Sequence, residues 1–241
     1  MKLWVSLCFY YVEERLKNFQ RTLDNLSSIP DIKITIDSNV NFDTNLDIRV
    51  TQLADPYHYT WEHKKYMPEF LNSDYTHFAY LEGNIDVTKT TFDYWLKTRE
   101  LFLKHNYNFI PAVHRIQKDK EGNIYSLDCT RKQTHSRRIT IEGQEFVFLS
   151  EPYQGMFIMD KQLTEEHIHS GYYNLGQKHF FGIRESANLG NIYVNVPPNF
   201  DHRAALPLNI PAECMVEHFG TDYRNNPNSP HAKIKIEDLF S

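Results

Sequence analysis

The 241-residue sequence predicts an α/β fold with a mainly parallel sheet, and three observations carry that prediction. Leu3-Trp-Val-Ser-Leu-Cys-Phe scarcely alternates, as a strand buried on both faces should read. Glu13 to Leu26 then places Leu16, Phe19, Leu23 and Leu26 at the three-and-four spacing of an amphipathic helix, and Ile32 to Ile36 reads as a second strand, so the opening implies a right-handed parallel crossover. The third observation lies between Thr76 and Val87. Phe78 to Leu81 is a short apolar run that stops at Glu82, Gly83, Asn84 and Asp86, which puts oxygen ligands at a strand terminus, where open α/β sheets bind their ligands.

Composition suits a globular chain, 41% hydrophobic, 14% aromatic and 24% charged, read as one domain over 1–241 with a loop or tail from about 225. A formal net charge of −5 argues against a general polyanion-binding surface, so nucleic acid is not the first expected partner, although local basic clusters can still grip one diphosphate. Cys8, Cys129 and Cys214 lie far apart with no metal-type spacing, which fits a reduced, cytoplasmic setting. Leu3 to Tyr11 is too short for a membrane span and lacks signal-peptide flanks, so no transmembrane segment is expected; peripheral association stays open.

Taken in order, the second strand closes in Asp37-Ser38-Asn39, and Ile48 to Leu53 makes a third. The loops after the first two strands carry Tyr10, Arg15 and Asp37 to the same sheet edge as Glu82; Asp37 suits a ribose or base hydrogen bond, or an ordinary turn. Thr60 caps a helix from Trp61 to Leu71 whose first turn presents His63, Lys64 and Lys65, either as a phosphate site or as solvated surface lysines. If the chain stays extended past Leu81, a period of two puts Glu82, Asn84 and Asp86 on one face, hard donors for magnesium or manganese; the residue types by themselves favour a surface turn. Thr90 or Thr91 caps a long helix with Phe92, Trp95, Leu96, Leu101 and Leu103 as its apolar surface. Asn108 to Ile116 is a strand, Glu121-Gly-Asn a hairpin turn, and Ile139 to Ile141 pairs with Phe146 to Leu149. The basic run Arg131 to Arg138 is a loop over a substrate or a solvated arm. Gly155 precedes a strand, where a backbone passes close to something. Beyond Thr164 two helices are expected, to His169 and from Lys178 to Ala187, then strands Asn191 to Val196 and Glu213 to His218. Glu185 is a buried base or a salt-bridged acid, and His218 a metal donor or a hydrogen-bonded histidine.

From Leu3 to Phe240 the chain resembles the GT-A-fold glycosyltransferases, of the bacterial and viral type related to the N-terminal transferase domain of the chlorella virus capsid-glycosylating protein. Pro56-Tyr-His-Tyr-Thr-Trp-Glu-His-Lys, Tyr80-Leu-Glu-Gly-Asn-Ile, Pro152-Tyr-Gln-Gly, Ile183-Arg-Glu-Ser-Ala-Asn-Leu-Gly and Glu217-His218 with Tyr223 carry the resemblance. It implies a Rossmann-like three-layer sandwich, a nucleotide-sugar donor such as a UDP-sugar, a glycan hydroxyl acceptor and a manganese or magnesium ion. It also implies polysaccharide biosynthesis, with inversion by direct displacement. The family pattern places the acidic metal and donor motif on Glu82 and Asn84, and the positions read above, Tyr10, Arg15, Asp37, His63 and Lys64, complete the expected donor site. The acceptor falls on Tyr153, Gln154 and Gly155, the catalytic base on Glu185, and metal ligation on Glu82, Asn84 and His218. Tyr153, Trp61 and His58 are expected to line the sugar pocket, and where the metal is weakly held Lys64, Lys65 or Arg115 carries more of the leaving-group charge. The chain departs from the family at Gly83 and Asn84, where relatives tend to carry consecutive aspartates. Two other readings are a non-catalytic descendant that binds a nucleotide or glycan, and a metal-dependent phosphoesterase.

Overall fold

The computed structural model describes every residue except 43, 154 and 175–181, and the chain divides into two compact units, Met1–Asn84 with Gln154–Val194 and Ile85–Tyr153 with Asn195–Ser241. In chain order the strands are β1 (Leu3–Phe9), β2 (Ile32–Ser38), β3 (Asp47–Val50), β4 (His77–Glu82), β5 (Ile85–Asp86), β6 (Ile110–Pro111), β7 (His114–Lys118), β8 (Ile124–Ser126), β9 (Arg137–Ile141), β10 (Gln144–Phe148), β11 (Met156–Asp160), β12 (Ala204–Pro207) and β13 (Met215–His218). The helices are α1 (Leu16–Ser27), α2 (Met67–Asn72), α3 (Lys89–Lys104), α4 (Lys161–Ile168), α5 (Ile183–Ser186) and α6 (Leu189–Ile192).

The first unit is built on a sheet in the order β11-β4-β1-β2-β3, parallel from β4 to β3 and closed by antiparallel β11. It has the expected α/β class with a mainly parallel, mixed sheet. β1 lies at its centre and is buried almost throughout, which is why its sequence does not alternate. On one face Phe9 stacks on Phe19 of α1 at 3.9 Å, and α1 also buries Thr22, Leu23 and Leu26. On the other, Trp4 meets Tyr66 and Phe78, and Phe70 of α2 meets Phe78. Those contacts make three layers.

The second unit holds two four-stranded sheets, β6-β12-β10-β9 and β5-β13-β7-β8. The β9–β10 hairpin turns at Glu142 (φ 48°) and Gly143 (φ 82°), consecutive left-handed positions that a tight two-residue turn requires. Phe102 of α3 packs with Phe109, Ile141, Phe146, Phe148 and Ala205.

Several expectations are corrected. Pro56–Tyr66 is a 3-10 segment capped by Asp55, whose carboxylate accepts the Tyr57 N–H at 2.9 Å, and the α-helix begins only at Met67. Pro68 has no N–H for the Lys64 carbonyl, which instead accepts from the Met67 N–H and, at 2.6 Å, from the Tyr173 hydroxyl. Thr60 donates to the Tyr57 carbonyl and does not cap. The α3 cap position is Thr88, and Leu103 is exposed. Asn108 to Ile116 is two strands, with Pro111 on the edge strand β6 where a missing N–H is tolerated. Asn191 to Val196 is not a strand: Gly190 packs so tightly that a Cβ there would lie 2.4 Å from Ser170 Oγ, and Asn195 turns left-handed at φ 50°. The helix expected from Lys178 falls partly outside the described residues, its remainder being α5. β12, a short apolar stretch among prolines, has no sequence signal of its own. The expected tail is packed: Leu239 is fully buried, Lys235 bridges Tyr125, and the Ile234 carbonyl accepts the Ser126 N–H.

Trp4 ties β1 to β2 and to the layer above them, with its Nε1 donating to Thr35 Oγ1 at 3.0 Å and Lys33 Nζ 3.2 Å from its ring centre. Trp4→Ala should cost about 3–5 kcal/mol, read from chemical denaturation of the whole chain; a loss below about 1 kcal/mol would mean that this face is not closely packed.

Candidate active site at the carboxyl edge of the parallel sheet

Parallel register decides what meets at this edge. Cys8 of β1 lies opposite Asp37 of β2 on one side and Glu82 of β4 on the other. Registered residues of parallel strands share a face, so two carboxylates flank one thiol, with their Cα atoms about 10 Å apart across two strand spacings. Burial, then Glu82 and Asp37, push the Cys8 thiol up and keep it protonated at neutral pH. Glu62, buried on the 3-10 segment and paired with Lys65, adds a third carboxylate.

Asp37 is neither a loop ligand nor a turn residue. It sits inside β2 and is 1% exposed, with Ser6 Oγ donating to one oxygen at 3.2 Å and the Tyr66 hydroxyl to the other at 2.9 Å. Burial raises its pKa to about 6, against the hydrogen bonds that favour the ion. Arg49, its partner on β3, lies 5.5 Å from the Tyr66 ring. Tyr10 follows β1 and is 40% exposed, edge-on to Tyr59 at 5.7 Å; Arg15 is exposed on a short 3-10 turn, Glu13–Arg15.

The segment after β4 has an unforeseen reason for its glycine. The Gly83 N–H continues the ladder to the Cys8 carbonyl at 2.9 Å, and a Cβ there would stand 2.7 Å from Phe19 and 3.0 Å from Phe9. Glu82 and Asn84 on either side are half-buried.

His63 and Lys64 are not on a solvated helix. His63 lies 4.5 Å from Tyr80 and 5.1 Å from Phe157, ring to ring, and burial, with Lys64 and His167 adding to it, holds its pKa well below the usual histidine range. A neutral imidazole brings no charge to a phosphate. Lys64 Nζ donates to the Tyr172 and Tyr173 carbonyls at 2.8 and 3.1 Å and lies 3.8 Å from the Trp61 ring; burial lowers its pKa to about 7. Both residues therefore organise the interior. Trp61 in turn donates to the Ile183 carbonyl at 2.8 Å and so ties down α5, which carries Glu185. The Glu185 carboxylate folds back over Gly182, 2.6 Å from where a Cβ would be. His58, half-buried, lies 4.0 Å from Asp55, and Lys65 is exposed.

In the second unit, Tyr153 lies beneath the Arg115 guanidinium at 4.8 Å. Asp128 sets that arginine, accepting from its Nε at 3.1 Å and its backbone N–H at 2.7 Å. His114 Nε2 meets Ser126 Oγ at 2.9 Å and its Nδ1 lies 3.8 Å from Asp128. Ser126 is fully buried and accepts the Cys129 N–H, so this serine, histidine and aspartate form a clamp on Arg115 and not a nucleophile. Gln154 lies outside the described residues, and Gly155 sits in a bend before β11. His218 pairs with Ile85 across β13 and β5 and leans on Tyr223 at 5.5 Å. Among the described residues no three His, Cys, Asp or Glu side chains converge as a metal site, and no helix is long and apolar enough to cross a membrane.

No protein-family model matches the chain, and neither does any curated protein. Among solved structures it is similar to S. aureus TarS, with 12% identity, a TM-score of 0.41, and coverage of 86% of this chain and 36% of that one. It is also similar to mannose-1-phosphate geranyltransferase from Thermus thermophilus, with 11% identity, a TM-score of 0.44, and coverage of 86% and 74%. The chain thus spans about a third of the length of TarS.

The raised pKa of Asp37 has a definite sign in stability. Its folded value of about 6 exceeds the unfolded value near 3.9, so its contribution is complete below about pH 4 and is lost as pH rises through 6. The loss amounts to roughly 3 kcal/mol at 1.36 kcal/mol per pKa unit. Asp37→Asn should flatten the fall in stability between pH 4 and 7, as read by denaturant midpoints across that range. An unchanged slope would assign that pH dependence to another group.

Proposed function

We propose that the protein is a glycosyltransferase of GT-A type, moving a sugar from a nucleotide-sugar donor to a hydroxyl of a glycan acceptor with inversion. One observation supports this above others: the carboxyl edge of a parallel sheet, where such sheets bind ligands, carries Glu82 in register with Cys8 and Asp37. The donor lies at that edge, with Tyr10 offering an aromatic face, Arg15 a guanidinium to the diphosphate, and Glu82 and Asn84 oxygen donors. Asp37 acts through Tyr66 and Ser6 by holding the edge in shape. His63 and Lys64 hold it from beneath, a positioning part in place of the charge neutralisation first expected of them.

Glu82 and Asn84 are hard donors that fit magnesium or manganese, though with a single charge between them. Such an ion would neutralise the diphosphate leaving group. In the transfer itself the acceptor oxygen bonds to the anomeric carbon as the bond to the diphosphate oxygen breaks, and Glu185 takes the hydroxyl proton as general base. Tyr153, held under Arg115, presents a ring face to a pyranose.

Calorimetric titration with UDP, GDP, dTDP and CDP, each with and without manganese, tests the donor site. One diphosphate should bind, adding about 2.7 kcal/mol of stability at a hundredfold excess over its Kd; failure of all four sinks the reading. Glu185→Gln should lower acceptor-dependent diphosphate release by about 10²-fold or more while donor affinity holds. The packing at Gly83, which bars an acid there, favours a second reading as a binding protein without turnover. Diphosphate binding with no acceptor-dependent release from a donor would select it.

A further inference from the structure

The second unit carries a cleft of about 610 Å³ that the transferase reading leaves unused. Its walls are residues 131–137, the chain just past β10 at Leu149 and Ser150, and the segment Phe200 to His202. Arg131, Lys132 and Arg137 line it, and Arg138 follows. Among the described residues none of these four cations has a carboxylate within ion-pair distance, on a chain whose formal net charge is −5. One acid, Asp201, also lines the cleft.

The loop that presents these charges is built, not loose. Gln133, 4% exposed, donates its backbone N–H to the Leu239 carbonyl at 2.7 Å. Its side-chain oxygen accepts from Ser136 Oγ at 2.9 Å and from the Ser150 N–H at 3.1 Å, while its amide donates to the Arg131 carbonyl. Arg137 lies 4.3 Å from the Phe200 ring and bonds the Asn199 carbonyl with one Nη, which leaves the rest of its donor fork for a ligand. Phe200 packs on Phe148 at 4.5 Å and on Phe109 at 4.9 Å, so the arginine rests on a fixed aromatic floor.

We propose that this cleft binds a saccharide bearing an anionic group, a phosphate in the first instance, with the anion on Arg131 and Arg137 and the sugar hydroxyls against Asp201 and His135. Guanidinium forks match phosphate oxygens, and carboxylate and imidazole side chains hydrogen-bond sugar hydroxyls. A bilayer fits less well: the surface is concave, and none of the exposed large apolar side chains lies in it. The inference stands on the second unit alone and does not require the transferase reading.

The test is titration calorimetry of the whole chain with glucose 6-phosphate, glucose, inorganic phosphate, and vesicles of phosphatidylglycerol and phosphatidylcholine. Glucose 6-phosphate should bind with a Kd at least about tenfold below those of glucose and phosphate, and added salt should weaken it. Arg131→Gln with Arg137→Gln should raise that Kd at least about tenfold with an unchanged unfolding midpoint and unchanged nucleoside diphosphate binding. Equal binding by the double variant, or no binding by either protein, overturns the proposal. Vesicle binding that the double variant loses, without sugar phosphate binding, would assign the cleft to a membrane surface instead.

Discussion

The ladder on either side of β1 is the constraint from which the rest of the first unit follows. Because β1 pairs in parallel with both β2 and β4, Cys8 is locked between Asp37 and Glu82. A slip of one residue in either pairing would turn every side chain of the slipped strand to the other face. Specific packing on both faces makes such a slip costly: Trp4, Ser6, Thr35, Phe78 and Tyr80 pack towards the 3-10 segment, Val5, Leu7 and Phe9 towards α1. The edge carboxylates are therefore positioned by hydrophobic packing well away from them.

Much of this was legible in the amino-acid order. The unalternating Leu3–Phe9 run, the helix spacing of Phe19, Leu23 and Leu26, and the break at Glu82 each rest on burial patterns that neighbouring residues carry by themselves. The same holds for the β9–β10 hairpin, where Glu142-Gly143 names its own turn. Such local signals survive folding because tertiary packing agrees with them.

What was not legible depended on distant partners. Lys64 reads as a surface cation until Tyr172 and Tyr173, more than a hundred residues on, offer it carbonyls. Asp37 reads as a turn because Tyr66 and Ser6 lie elsewhere in the chain. Glu62 and Arg49 carry no local signal for the same reason, although the parallel pairing of β2 with β3 sets Arg49 opposite Asp37. Ser126, His114 and Asp128 show the converse risk, since a catalytic-looking trio proves on burial to be a brace for Arg115.

The stack of Phe9 on Phe19 reaches further than stability. Because it occupies the space above position 83, the charge at the sheet edge and the size of two aromatic rings are not independent variables. An acid could enter at position 83 only after one ring had been trimmed, and the intermediate with the smaller ring and no acid would carry a cavity and gain nothing from it. The order of changes is thereby restricted, and a chain at this point is held to its glycine by its own interior, whatever its chemistry would prefer.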